Sequence, residues 1–304
     1  MIKVKNKKKR RNFRAKYKVI AKKTSLNCFP FREAQNKILN AFQTAQKKLI
    51  VLDYDGTLRK FEKNPEAASP EKSLKELLNK LAAKPGVTLA IVSGRKQEEL
   101  EKWFGQPNFI LIGDHGTMLK LQGATTWRPL IKYKISDREN LWAELEGHYA
   151  QIAGAVHPKS LYFERKRFSF GLNYRYALPT LQARLQQTLF SPPLQKKLVQ
   201  SGLQVQMGVS DLEILNRDMV KKSHAIKYLT RLDKYDFAFI TGDAWTDEDM
   251  FEAAPRGAHT IKLGPAQGEG KQTKASCFLE APEDTNNEKK VVQFLDFLGK
   301  LSTI

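Results

Sequence analysis

From Leu49 to Leu52 the chain carries an unbroken apolar run, LIVL, rich in branched side chains. So short and continuous a run predicts a strand covered on both faces. The pattern returns at TLAIV, FILI and FAFI, which begin at Thr88, Phe109 and Phe237. Between these runs the period changes to that of a helix. NKILNAFQTA, from Asn36, puts Ile38, Leu39, Phe42 and Ala45 on one face. SPEKSLKELLNKLAAKPG, from Ser69, predicts a helix capped by Ser69, with Pro70 in its first turn and a stop at Pro85-Gly86. KQEELEKWFG predicts another. Strand and helix alternate from 49 to 113 and again beyond 219, through MVKKSHAIKYLTRL, FAFITGD, WTDEDMFEAA and HTIKLG. That alternation predicts a parallel sheet built by right-handed crossovers.

After Gly123 the rhythm breaks. WRPLIKYKI reads as a strand, residues 137–153 as a helix, LYFERKRFSFGLNYRY as two alternating strands, LPTLQARLQQTLF as a helix and LQVQMGVSDLEIL as a further strand pair. Adjacent alternating strands predict an antiparallel sheet with one face on helices. The expected organisation is a basic tail over 1–25, an α/β domain in two pieces (26–123 and 210–304), and an α+β insertion over 124–209.

Composition narrows the class. The chain has 304 residues, 41% of them hydrophobic, with two cysteines and a formal net charge of +20. No apolar stretch has the length of a membrane span, and the paucity of cysteine predicts a reducing, cytoplasmic setting. The charge is unevenly placed. Residues 1–23 hold 12 of the 52 Lys and Arg and no acid, which leaves 40 against 32, or +8, for the rest. A block of one sign predicts a solvated tail without specific nucleic-acid recognition. Deleting residues 1–25 should leave turnover and melting temperature unchanged and abolish most retention on heparin. A truncated protein that loses activity or stability would show that the tail packs on the body.

Polar groups cluster where the buried runs end: Asp53 and Asp55, Ser93 with Arg95, Asp114 with His115, and Asp243 with Asp247. In open α/β sheets ligands bind outside the carboxyl ends of the strands. Acids after strands also cap helices, but two carboxylates two residues apart are costly unless a cation or a proton separates them. With Asp243 they make an all-oxygen set suited to magnesium. A carboxylate can also attack phosphorus while a second one moves protons. Ser93 could bind the phosphoryl oxygens, and a lysine such as Lys222 could neutralise them.

DYDGTL, VSGR, the lysine of KKSHAIKYL and GDAWTDEDMF stand in the order found in the haloacid dehalogenase superfamily. Within it, LDYDGTL, SGRKQEELEKWF, GDHG, SLYFERKRFSFGLNYRYA and TDEDMF resemble the trehalose-6-phosphate phosphatases, in particular the phosphatase part of synthase/phosphatase fusions. The resemblance covers about residues 36–300. It implies a Rossmann-type parallel-sheet core with an inserted α+β cap, and a magnesium-dependent phosphatase that splits trehalose 6-phosphate through an aspartyl-phosphate. It implies Asp53 as nucleophile, Asp55 as acid/base and Lys222 as the third catalytic group. Gly56, Thr57 and Ser93 would bind phosphate. Arg95, Asp114, His115, Glu164, Lys166, Arg175 and Glu213 would contact the sugar. Asp53, Asp55 (through its carbonyl), Asp243 and Asp247 would serve the metal. A trehalose-6-phosphate synthase is the partner it implies. Three positions depart from the family pattern: Asp114 in place of Glu, Ala244 in place of Asp, and Ser223 in place of Gly. Sucrose-phosphate or mannosyl-phosphoglycerate phosphatases, and a regulatory homologue without turnover, stay open as alternatives.

Overall fold

The computed structural model describes residues 29–62, 65–131, 143, 146–147, 162–165, 169–174, 177–207, 211–216, 221–268, 271–280 and 288–304. The basic tail, Lys166 and Arg175 lie outside the described residues, as does nearly all of the helix expected over 137–153.

The strands are, in chain order, β1 Phe29–Pro30, β2 Lys48–Leu52, β3 Val87–Val92, β4 Ile110–Gly113, β5 Met118–Lys120, β6 Arg128–Pro129, β7 Tyr162–Arg165, β8 Ser169–Asn173, β9 Leu203–Met207, β10 Asp211–Asn216, β11 Phe237–Gly242, β12 His259–Lys262, β13 Gln267–Gly268, β14 Lys271–Gln272 and β15 Cys277–Phe278. The helices are α1 Phe31–Thr44, α2 Lys72–Ala82, α3 Gln97–Phe104, α4 Pro179–Leu189, α5 Pro192–Gln200, α6 Ser223–Leu229, α7 Glu248–Ala253 and α8 Glu288–Thr303.

The larger sheet runs β1-β15-β12-β11-β2-β3-β4-β5-β6. It is parallel from β1 to β4, and β5 and β6 add an antiparallel edge. The run at 49–52 behaves as its composition requires. Ile50 and Leu52 enter the core beneath α1, α2, α3 and α8, while Leu49 and Val51 enter the opposite core beneath α6 and α7. All four are fully buried, and each contributes roughly 1.5–3 kcal/mol by leaving water. From β2 the chain moves outward to β3 and β4, then returns on the other side of β2 as β11. The switch point therefore lies between β2 and β11, and Asp53 and Asp243 follow those two strands.

One local expectation is corrected. The predicted serine cap does not form: α2 begins at Lys72 after an extended Glu71, with no side-chain cap. The Glu71 carboxylate is taken by Arg59 instead. Of WRPLIKYKI, the described part gives only Arg128–Pro129, which pairs with β5 at the edge of the larger sheet. Proline cannot donate to a ladder, so an edge is where it fits.

The smaller sheet is antiparallel, in the order β7-β8-β10-β9. Phe170 and Leu172 of β8 and Leu212 and Ile214 of β10 face α4 and α5, where Leu181, Leu185, Leu194 and Leu198 complete a separate core. Its β10 runs to Asn216, beyond residue 209.

Candidate active site

The parallel arrangement of β11, β2, β3 and β4 brings the loops after all four to one edge of the sheet. Asp53 lies at the centre. One oxygen of Asp53 accepts the Lys222 ammonium at 2.6 Å and the other accepts Thr57 Oγ1 at 3.1 Å. Lys222 donates equally to Asp247 Oδ1, at 2.6 Å. The second oxygen of Asp247 accepts the backbone N–H groups of Asp243 and Ala244, both at 2.9 Å. Asp247 thus fixes the loop that carries Asp243. Asp53, Asp243 and Asp247 each place one oxygen within 4.8 Å of the others. The close approach requires glycine at 56, where φ is +80° and a Cβ would lie 2.0 Å from Asp243 Oδ2. The glycine of DYDGT is thereby explained by packing as well as by the turn.

Charge is unbalanced here. Three carboxylates, Asp243 half-buried and the other two buried, share one hydrogen-bonded ammonium, with Lys290 and Lys262 acting on Asp243 from further off. Burial first, and the charge of Asp247 second, push Asp53 up to about 7, against the opposing pull of Lys222. Burial, then Asp53 and Asp247, hold Asp243 well above the usual carboxylate range. Burial works to lower Lys222, but the two carboxylates outweigh it and keep the lysine charged.

Asp55 is not in this cluster. Tyr54, between the two acids, is drawn into the core, where its hydroxyl donates to Ala68 O and its ring packs on Trp103. The flanking carboxylates take different cations. Arg95 grips Asp55 through Nε and Nη2, each at 2.8 Å, and reaches Glu99 at 3.0 Å through Nη1. The two like charges of DYD are thus separated, each on its own partner.

The loops after β3 and β4 are laced together. Asp114 N–H donates to Arg95 O, His115 N–H to Ser93 O, and Arg95 N–H to Ser93 Oγ. Asp114 and His115 are the non-glycine residues with positive φ, 49° and 53°, among those described. Such conformations cost energy and persist where surroundings enforce them. Gly94 makes the room: a Cβ there would sit 2.5 Å from the His115 ring. The Asp114 carboxylate accepts Gln97 N–H at 3.3 Å, at the start of α3. Gly56 N–H donates to Arg59 O and Thr57 N–H to Tyr54 O, within the turn.

Side chains of these loops also reach the smaller sheet. His115 Nε2 lies 3.0 Å from Glu213 Oε1, which also accepts Ser169 Oγ at 2.6 Å. Lys96 Nζ lies 3.1 Å from Glu164 Oε1. Lys96 was not singled out from the sequence, though it carried a signal. A lysine just before the first turn of a helix opposes the helix dipole, so another partner is needed to hold it there.

The comparisons fit this geometry. The family model described as trehalose-phosphatase matches residues 51–283. A bifunctional trehalose-6-phosphate synthase/phosphatase of Thermoproteus tenax is 34% identical over 230 residues, 76% of this chain and 30% of the relative. The chain thus spans about a third of that relative's length. The C-terminal domain of a C. albicans trehalose-6-phosphate phosphatase superposes with a TM-score of 0.73 at 26% identity, covering 88% of this chain and 97% of that one. A haloacid dehalogenase-like hydrolase from B. subtilis shares the fold, with a TM-score of 0.50 at 13% identity over 82% of this chain and 98% of that one.

Proposed function

The chain belongs to the trehalose-phosphatase family, and from that premise we propose that it hydrolyses trehalose 6-phosphate to trehalose and phosphate through an aspartyl-phosphate on Asp53, with magnesium. The observation that carries this reading is the buried Asp53–Lys222–Asp247 bridge beside Asp243, with a second carboxylate, Asp55, just beyond it.

The residues fit a divalent cation. The donors are all oxygen, three carboxylates share one hydrogen-bonded ammonium, and burial first, then the neighbouring carboxylates, raises both Asp53 and Asp243. Asp53 and Asp243 would hold the ion, with Asp247 fixing the loop between them. Bound there, it supplies positive charge to the phosphoryl oxygens. Asp53 attacks phosphorus, the bond from phosphorus to the sugar oxygen breaks, and Asp55 delivers a proton to that oxygen. Water then attacks the phosphoryl group, Asp55 takes its proton, and the bond to Asp53 breaks to release phosphate. Lys222 keeps Asp53 oriented, Arg95 gives up one of its two hydrogen bonds to Asp55 so that this carboxyl can carry the proton, and Ser93 Oγ would donate to the phosphoryl group. Glu213 and Glu164 accept sugar hydroxyls. The sequence also assigned Lys166 and Arg175 to the sugar, and both belong to this proposal.

The deciding experiment is phosphate release from trehalose 6-phosphate with magnesium, beside sucrose 6-phosphate, mannosyl-3-phosphoglycerate and p-nitrophenyl phosphate. Preference for either rival sugar would replace the substrate. No release from any of them would leave the regulatory alternative standing. The relative named for both synthase and phosphatase supports a trehalose-6-phosphate synthase as the source of substrate. No helix among the described residues is long and apolar enough to cross a membrane, and Cys277 is a buried free thiol.

The raised carboxyls make a pH prediction. With Asp53 near 7 in the folded protein and 3.8 as its reference, the cation-free fold holds a proton that the unfolded chain has released. This group's contribution is therefore full in acid and is lost as pH rises through about 7. Magnesium takes the ionised form, so it should raise the melting temperature more at about pH 8 than at about pH 5.5. Differential scanning fluorimetry with and without chelator checks this. A shift of equal size at both pH values would place the cation elsewhere.

A further inference from the structure

Gly171 lies inside β8, which is paired on both sides, by β7 and β10. A glycine there costs roughly 0.5–1 kcal/mol against alanine. Two structural needs could keep it, and neither applies. Its φ is not among the positive ones. Nor is it crowded: among the described residues a Cβ would meet nothing nearer than Glu164 Cβ and O at 3.7 Å, which is ordinary contact. A glycine in a strand then marks a place where something else comes close to the backbone.

The register says where. Gly171 stands opposite Glu164 on one side and Glu213 on the other. The three form one row across the sheet, with the acids two strand spacings apart, about 9–10 Å. The other face of β8, with Phe170 and Leu172, is buried against α4 and α5. The row therefore faces away from its own core and toward the strand-end loops of the larger sheet, as the Lys96–Glu164 and His115–Glu213 contacts require. Among the described residues the result is a strip of backbone without a side chain of its own at Gly171 and with a carboxylate at either edge, opposite the loops that hold Asp53 and Asp55.

We propose that Gly171 is a specificity-determining position: the strip between Glu164 and Glu213 is the slot in which one ring of a polyol leaving group lies flat, donating edge hydroxyls to the two carboxylates. This rests on the phosphomonoester reading above and adds the shape of the sugar subsite to it. Carboxylates accept and never donate when ionised, so the slot selects hydroxyl-rich rings over flat apolar ones.

The test is Gly171→Val, with Gly171→Ala beside it. Valine suits a strand and removes glycine's extra entropy in the unfolded chain, so the fold should be as stable as the wild type or more so. In the slot it occupies the ligand's space. KM for trehalose 6-phosphate should rise roughly tenfold to two-hundredfold. kcat/KM for p-nitrophenyl phosphate should stay unchanged, and alanine should fall between. A lower melting temperature with equal loss on both substrates would make the glycine structural and overturn the proposal. Unaltered KM for the sugar phosphate in the stable valine variant would overturn it too. Wild-type enzyme that cleaves p-nitrophenyl phosphate but no sugar phosphate would instead overturn the substrate reading, before any variant is compared.

Discussion

Asp53→Asn should abolish phosphate release, by roughly four to six powers of ten, the scale set when a covalent nucleophile is removed. The fold should survive. The substitution keeps the shape, leaves the amide oxygen to accept from Lys222 while the amide NH2 can donate to Thr57 Oγ1, and removes one of three crowded carboxylates. Because burial and Asp247 already disfavour the charged form of Asp53, neutralising it relieves repulsion. Without added cation, the melting temperature should hold or rise at about pH 8, while the stabilisation given by magnesium should shrink. These readouts separate lost chemistry from lost structure. Turnover near the wild-type level, in protein free of contaminating phosphatase, would rule out Asp53 as nucleophile.

The parts of this site legible in the sequence are those set by chain-local rules. LIVL announces a strand buried on both faces because nothing in four residues is left for water. The strand-end rule then places Asp53, Ser93, Asp114 and Asp243 on one edge before any contact is known. What the sequence does not carry is the choice of partner across the fold. Spacing alone sent Asp53 and Asp55 to one point, whereas Arg95, forty residues on, holds Asp55 by two hydrogen bonds. Likewise Glu71, drawn away by Arg59, leaves α2 without the cap that Ser69 seemed to offer. The left-handed backbone at Asp114 and His115 is hidden for another reason: its cost is met by two backbone hydrogen bonds to the loop after β3 and by space at Gly94, none of which has a local signature. The meaning of Gly171 needs the register of three strands. Strand patterning shows that β7, β8 and β10 exist, but not which residues stand opposite.

Lys222 is the element whose loss should strain the fold most. Its ammonium is buried, 2.6 Å from both Asp53 and Asp247, and is the cation hydrogen-bonded to both carboxylates among the described residues. Lys222→Met keeps the length of the stem and removes only the charge and its hydrogen bonds. Two buried carboxylates then face each other uncompensated, a loss of about 3–5 kcal/mol when one partner of a buried pair is removed. The melting temperature should fall by roughly 10 °C at about pH 8. The fall has a definite pH dependence. Asp53, already near 7 with the lysine in place, rises further without it, so protonation neutralises the site as pH drops. The deficit should therefore be largest above pH 7 and narrow toward about pH 5. Adding Asp53→Asn to Lys222→Met should recover part of the stability, because the second change removes one of the stranded charges. Additive losses in the double variant, or a single variant as stable as the wild type at pH 8, would show that the lysine does not balance these carboxylates. Turnover should fall in Lys222→Met at every pH, including where stability returns, since an Asp53 that has taken up a proton is no longer a nucleophile.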